Sequence, residues 1–289
     1  MKDKRLYSPK YVREILDRFG FKFSKQLGQN FLIDGNIVRN IVAKAGIREE
    51  DYVLEIGPGI GTLTEELALN CKKVVAVEID KNLLPILDET LRDYDNVEII
   101  HGDILKVDVK KLIEEKLGGG PIKVVANLPY YVTTPIIAML IEEDLNIESI
   151  TVMIQKEVAD RIVAKPGTKQ YGALTVFVNF YCDVEILLSV PKTVFMPSPK
   201  VDSAVVKLSL KKALDPVDKR IFFKVVKAAF NQRRKTILNS LASVQLDVDK
   251  STIKGILEEC NIPLSARAEN LKIEDFIKIS ERLASLNIY

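Results

Sequence analysis

Four short stretches of this 289-residue chain carry residue types that can do chemistry. The first is Glu55-Ile56-Gly57-Pro58-Gly59-Ile60-Gly61. Closely spaced glycines let a backbone turn sharply and approach a ligand that any Cβ would repel. A plain strand-to-helix turn has the same spacing, so this stretch alone decides little. The second is Glu78, 21 residues beyond Gly57, where a carboxylate can accept hydrogen bonds from both hydroxyls of a ribose. The third is Asp103, after His101-Gly102, placed to bind an adenine amino group. Each carboxylate alone is also an ordinary cap or turn residue; jointly the three stretches favour a nucleoside cofactor.

The fourth stretch, Asn127-Leu128-Pro129-Tyr130, points to the reaction. The exocyclic amine of adenine is a poor nucleophile because its lone pair is delocalised into the ring. Acceptors that hold its hydrogens favour a pyramidal nitrogen, and the Asn127 side chain with the Leu128 carbonyl can do that. Pro129 fixes the turn, and Tyr130 offers a ring on which an extruded base stacks. A polar turn with an incidental tyrosine is the plainer alternative.

Those residues need strands to hold them. Apolar runs predict strands at Tyr52–Ile56, Val74–Ile79, Val97–Ile100, Ile122–Ala126 and Ile150–Ile154, with amphipathic segments near 62–70, 81–93, 108–117 and 135–144. Short apolar runs alternating with helices indicate a parallel sheet covered on both faces. In such a sheet the carboxyl ends of the strands line one crevice, which brings the four stretches together. Two longer runs, Leu174–Cys182 and Ser203–Leu210, are expected to pair as a hairpin at the sheet edge. Beyond Leu210 only helical periods appear, at about 218–231, 234–243, 250–259 and 274–285. Pro9–Phe19 reads as a basic helix. The expected organisation is a cofactor-binding domain over 1–212, including the basic N-terminal segment, and a small all-α domain over 213–289.

Net charge is +2, which suggests no polyanionic partner until it is partitioned. Residues 1–50 carry 11 basic and 6 acidic groups, residues 51–150 carry 9 and 19, and the remainder carries 22 and 15. Between Lys211 and Lys235 there are 9 basic against 2 acidic residues. Lys224, Lys227, Arg233, Arg234 and Lys235 are the candidate phosphate-binding face, against the simpler reading of a solvated helix surface. Lys4, Arg5, Lys10, Arg13 and Lys22 form a weaker second patch.

Three widely spaced cysteines and one histidine cannot assemble a Cys/His zinc site, so no metal is expected. Unpaired thiols, the absence of an apolar leader and the lack of any uncharged run near 20 residues predict a cytoplasmic protein that does not enter a membrane. His101 is not needed as a base and is expected to be structural or solvated.

Taken in order, the stretches resemble the small-subunit rRNA adenine N6,N6-dimethyltransferases, the kasugamycin-sensitivity family, over nearly the whole chain. Gln29-Asn30-Phe31-Leu32, EIGPGIGTLT, Glu78-Ile79-Asp80, Gly102-Asp103-Ile104-Leu105 and Asn127-Leu128-Pro129-Tyr130 carry the likeness. So do Phe195 to Val206, Phe230 to Thr236 and Arg267 to Leu271. NLPY with a helical tail favours this family over the similar 23S rRNA methyltransferases, which typically read NIPY. The resemblance implies a Rossmann-like class I sheet and S-adenosylmethionine as cofactor, which binds at Gly57 and Gly59. Asn30 and Leu32 would close over the cofactor, with Glu78 on its ribose and Asp103 on its adenine. Asn127 would face the reactive methyl, and Phe195 would sandwich the target adenine opposite Tyr130, although a buried core phenylalanine reads equally well. It further implies two adjacent adenosines near the 3′ end of 16S rRNA in the immature 30S subunit; nothing suggests a dimer face, so a monomer is expected. A non-catalytic assembly factor on the same fold is the rival reading, but it has no chemical need of Glu78, Asp103 and Asn127. A methyltransferase for small molecules or DNA leaves the basic tail without purpose.

Overall fold

A computed structural model describes residues 5–211, 217–243, 246 and 248–286. Seven strands form the main sheet: β1 Tyr52–Ile56, β2 Lys73–Glu78, β3 Val97–His101, β4 Ile122–Asn127, β5 Ile147–Gln155, β6 Cys182–Val190 and β7 Ser203–Leu210. Their spatial order is β3-β2-β1-β4-β5-β7-β6. The pairs from β3 through β5 are parallel, and β7 runs antiparallel to β5. Val53, Leu54, Val74, Val75, Val124, Val125, Ile150 and Val152 are each fully buried, as central strands covered on both faces require. The order reverses between β1 and β4, where the chain turns back across the sheet. That switch point is where an open α/β sheet leaves a crevice at its carboxyl ends.

The N-terminal segment belongs to this unit. Leu6, Val12, Ile15 and Leu16 pack into a buried cluster with Ile60, Leu83, Ile86 and Leu87. Thr62 donates its hydroxyl to the Leu6 carbonyl at 3.1 Å, and Glu65 accepts the Leu6 N–H and lies 3.6 Å from the Arg5 guanidinium. Arg5 is thereby engaged within the fold, whereas Lys10, Arg13 and Lys22 are exposed. Lys4 lies outside the described residues.

The chain divides into two compact units, 1–159 with 185–210, and 160–184 with 211–289. The boundary expected between 212 and 213 falls outside the described residues, and the second unit also draws in 160–184. Part of that segment is where the expected strand fails. Leu174–Cys182 lies almost wholly in a helix, Ala173–Tyr181, and the strand begins at Cys182. Its β-branched and aromatic residues suit a strand locally, but tertiary packing decides. Phe180 stacks on Phe222 at 4.5 Å between ring centroids, and Tyr181 stacks on Phe223 at 5.6 Å. An edge strand, Cys182–Val190, does lie beside Ser203–Leu210, shifted along the chain from the expected hairpin.

The rest of the second unit is helical: Lys219–Phe230, Ile237–Ala242, Lys250–Glu259 and Ile273–Ser285. Asp218 and Asp249 cap two of these helices, their carboxylates accepting first-turn N–H groups. Among the described residues no helix is long and apolar enough to cross a membrane, and no group of three or more His, Cys, Asp or Glu is placed to hold a metal ion.

Candidate active site

The switch point opens into a cleft lined by residues at the ends of β1, β2 and β4 and by the loop over 27–32. Its floor is the turn after β1. Gly57 and Gly59 have φ of +70° and +62°, the left-handed region that costs a Cβ-bearing residue. A Cβ on Gly59 would also lie 3.0 Å from the Phe31 ring, which would have to give way by a few tenths of an ångström.

Two carboxylates define the electrostatics. Glu78, at the end of β2, accepts the Gly59 N–H at 3.2 Å and the Asp80 N–H at 2.8 Å and is 4% exposed. Burial pushes it up to about 7, with those backbone donors pulling the other way. Glu55, at the end of β1, is 1% exposed, and its Oε2 has no hydrogen-bond partner. Burial drives it up to about 8, opposed by the nearby Thr64 hydroxyl and reinforced by the Glu78 charge. Among the described residues none that lines this cleft is lysine, arginine or histidine. A buried acceptor without partner and two carboxylates without a counter-cation suit a ligand that brings positive charge and hydroxyl donors.

The sequence reading missed Glu55. Its place two residues before Gly57 at a strand end was the available signal, but a glutamate inside an apolar run also reads as one outward-facing side chain. It missed Gln29 as well. Gln29 donates from Nε2 to Asp80 at 2.6 Å, and its Oε1 accepts the Ser24 N–H at 2.7 Å. This ties the loop before Phe31 to the turn that carries Glu78.

The other expected residues distribute as follows. Asn30 and Leu32 line the cleft, and Asn30 donates its side-chain amide to the Gly28 carbonyl. Asn127 donates its Nδ2 to the Asn30 carbonyl at 3.2 Å. That leaves its oxygen, an acceptor, as the uncommitted end. Leu128 is buried, its N–H bound to the Met153 carbonyl at 3.1 Å. Pro129 and Tyr130 complete the wall, and the Tyr130 hydroxyl lies 2.8 Å from Ser203 Oγ. Burial raises the Tyr130 phenol, so it stays protonated.

Asp103 lies outside this cleft, in an adjoining cavity of roughly 400 Å³ with Ile79, Ile104 and Tyr131; the two share Gly57, Ile79 and Pro129. His101 is exposed and lines neither.

Phe195 departs from its expected catalytic place. It is 4% exposed, lines neither cavity, and packs in the core with Leu32, Val38 and Val205. Phe195 pairs with Leu32 in a two-stranded ladder and shares its buried cluster, but of the two only Leu32 lines the cleft. The bland reading of a core phenylalanine describes this structure.

In the second unit Arg233 is engaged, donating to the Lys169 carbonyl and lying 3.9 Å from Glu269. Arg234, Lys235 and Lys227 are exposed, and Lys224 is half-buried.

The chain is similar over nearly its whole length to known rRNA methyltransferases. The family model for ribosomal RNA adenine dimethylase matches residues 20–285. The ribosomal RNA small subunit methyltransferase A of Clostridioides difficile is 52% identical over 278 residues, covering 96% of each chain. That of Bacillus licheniformis is 51% identical, covering 97% of this chain and 98% of its own. Among solved structures, a dimethyladenosine transferase from Plasmodium falciparum superposes with a TM-score of 0.75 at 28% identity, covering 89% of this chain and 98% of its own. The 23S rRNA methyltransferase ErmE gives 0.67 at 27%, covering 88% and 99%.

A pH dependence follows from Glu55. Its folded value near 8 lies above the ordinary glutamate value, so the fold keeps a proton that the unfolded chain releases. The resulting stability is complete below about pH 4.5 and is lost as pH rises towards 8. Glu55→Gln, which cannot ionise, should therefore raise the thermal midpoint of the ligand-free protein more at pH 8 than at pH 5. An offset that stays constant across that range would show that Glu55 is not held protonated.

Proposed function

The chain belongs to the ribosomal RNA adenine dimethylase family and is an S-adenosylmethionine-dependent rRNA methyltransferase, and from that premise we propose what it modifies and how. The target is the N6 amine of two adjacent adenosines near the 3′ end of 16S rRNA, each methylated twice, in the immature 30S subunit. The protein acts as a monomer in the cytoplasm. The observation that carries this reading is the cleft itself: buried Glu55 and Glu78 for a cationic nucleoside beside an Asn127 whose free end is an acceptor.

S-adenosylmethionine fits this donor set, since it carries a sulfonium and an ammonium. When bound, it supplies an electrophilic methyl group. The chain's residues supply binding, orientation and electrostatics. Glu78 holds the ribose hydroxyls and Glu55 the cationic methionine end near the Gly57 turn. Asp103, in the adjoining cavity, holds the adenine, and Asn30 and Leu32 cover the cleft. Asn127 Oδ1 and the Leu128 carbonyl accept hydrogen bonds from the acceptor N6, drawing it towards a pyramidal shape with a localised lone pair. Tyr130 stacks on the acceptor base. No general base is required, because the amine releases its proton readily once methylated.

The test is incubation of the protein and S-adenosylmethionine with immature small subunits, followed by nucleoside analysis of the rRNA. N6,N6-dimethyladenosine is expected. Asn127→Ala should reduce single-turnover transfer by about 100-fold or more, the scale of losing a positioned catalytic group, while cofactor affinity changes little. Unmodified rRNA from the unaltered protein overturns the substrate assignment. Near-normal transfer by Asn127→Ala overturns the role of Asn127.

Recognition of folded RNA by backbone and shape suits the dispersed positive charge of the second unit. The phosphate contacts fall to Arg234 and Lys235, with Lys227 on the preceding helix, all three exposed. Arg234→Glu with Lys235→Glu should weaken subunit binding and reduce the slope of log affinity against log salt by about 2, one per lost phosphate contact. An unchanged slope would place the RNA elsewhere.

A further inference from the structure

A tyrosine needed only for stacking works equally well as phenylalanine. Tyr130 instead directs its hydroxyl to Ser203, at 2.8 Å. Ser203 is the first residue of β7 and is wholly inaccessible to solvent. A serine at a strand end in a covered sheet would fill that volume equally well as alanine, so the hydroxyl pair calls for a purpose.

The surroundings of Ser203 are those of a fixed post. It pairs with Gln155 in the antiparallel ladder between β5 and β7. The preceding Asp202 accepts the Lys192 N–H on its carboxylate at 2.9 Å and the Lys156 N–H on its carbonyl at 3.0 Å. The turn that bears Tyr130 is tied to the same frame. The Leu128 N–H reaches the Met153 carbonyl, Asn127 pairs with Met153 across β4 and β5, and the Thr133 hydroxyl donates to the Pro129 carbonyl at 3.1 Å. Backbone and hydroxyl of Tyr130 are thus both referred to the sheet, leaving the side chain little freedom to swing away from the cleft wall.

We propose that Ser203 is a positioning residue, whose hydroxyl anchors the far end of the Tyr130 side chain and so holds in place the ring against which the acceptor adenine stacks. The proposal rests on the reading that Tyr130 faces the acceptor base. It explains why an aromatic face at the reaction centre carries a hydroxyl that points away into the protein. Transfer is sensitive to the position of the acceptor amine, and the same platform must present it again, carrying one methyl, for the second transfer.

Single-turnover methyl transfer on immature small subunits, with cofactor affinity measured in parallel, tests this on Ser203→Ala, Tyr130→Phe, the double variant and Tyr130→Ala. Ser203→Ala and Tyr130→Phe each remove the same hydrogen bond, and each should slow transfer by about fivefold to tenfold, the scale of one hydrogen bond. Cofactor affinity should stay within about twofold, since the pair is not assigned to the cofactor. The double variant should be no slower than the slower single, because both substitutions delete one interaction. Losses that multiply in the double variant, or transfer at the unaltered rate in both singles, would overturn the proposal. So would a loss confined to cofactor affinity. Tyr130→Phe leaves the strand untouched and keeps the test valid if Ser203→Ala folds poorly. Tyr130→Ala separates the two readings. Normal transfer there removes the stacking role and with it the proposal, whereas slow transfer there with a normal Ser203→Ala removes the proposal alone.

Discussion

The constraint on which the rest of the site depends is the burial of two carboxylates, Glu55 and Glu78, at adjacent strand ends without a cationic side chain among the residues that line the cleft. Charges removed from water are costly unless paired, and burial shifts both carboxyls towards their protonated forms, Glu55 more strongly than Glu78. A parallel sheet places them on one face because β1 and β2 are neighbours with Glu55 opposite Ala76, two residues before Glu78. The reversal of strand order beyond β1 then sets β4, and with it Asn127, on the far side of the same opening. A cofactor that is cationic at one end and a nucleoside at the other is drawn into this cleft by these two carboxylates.

The acceptor side is built by a different means. Where the cofactor side uses buried charge, the turn after β4 uses fixed hydrogen-bond geometry. Asn127 is oriented by the Asn30 carbonyl, which is itself held by the loop that Gln29 ties to Asp80. Cofactor and acceptor halves are therefore linked through the N-terminal loop. The loop also covers the cleft, with Leu27, Gly28 and Leu32 among its lining residues. The second unit carries the exposed basic residues at its own surface, which explains how a net charge of +2 coexists with an RNA substrate: the acidic stretch that forms the cleft cancels the basic one.

Much of this was legible in the sequence because strand ends, glycine turns and helix caps are local. The first five strands lie where the apolar runs predict them, and Gly57, Glu78 and Asn127 stand at the ends of their strands. What was not legible depends on distant partners. Ala173–Tyr181 is rich in valine and aromatic side chains and reads as a strand until Phe222 and Phe223, some forty residues on, offer stacking partners that only a helix reaches. Phe195 reads equally as a stacking or a core residue from its sequence position, and only its packing with Leu32, Val38 and Val205 shows the second. Glu55 lay in plain view within a strand, and only its burial without a partner shows that it belongs to the cleft.

The account turns on whether the cofactor replaces protons in the cleft. Calorimetric titration of S-adenosylmethionine into the protein at pH 7, repeated in buffers of different ionisation enthalpy, counts the protons released on binding. With Glu55 and Glu78 raised to about 8 and about 7, cofactor binding should release roughly one proton, and Glu55→Gln should release clearly less. Identical binding enthalpies in every buffer for both proteins would contradict the account, because the buried carboxylates would then not be the groups that answer the cofactor's charge.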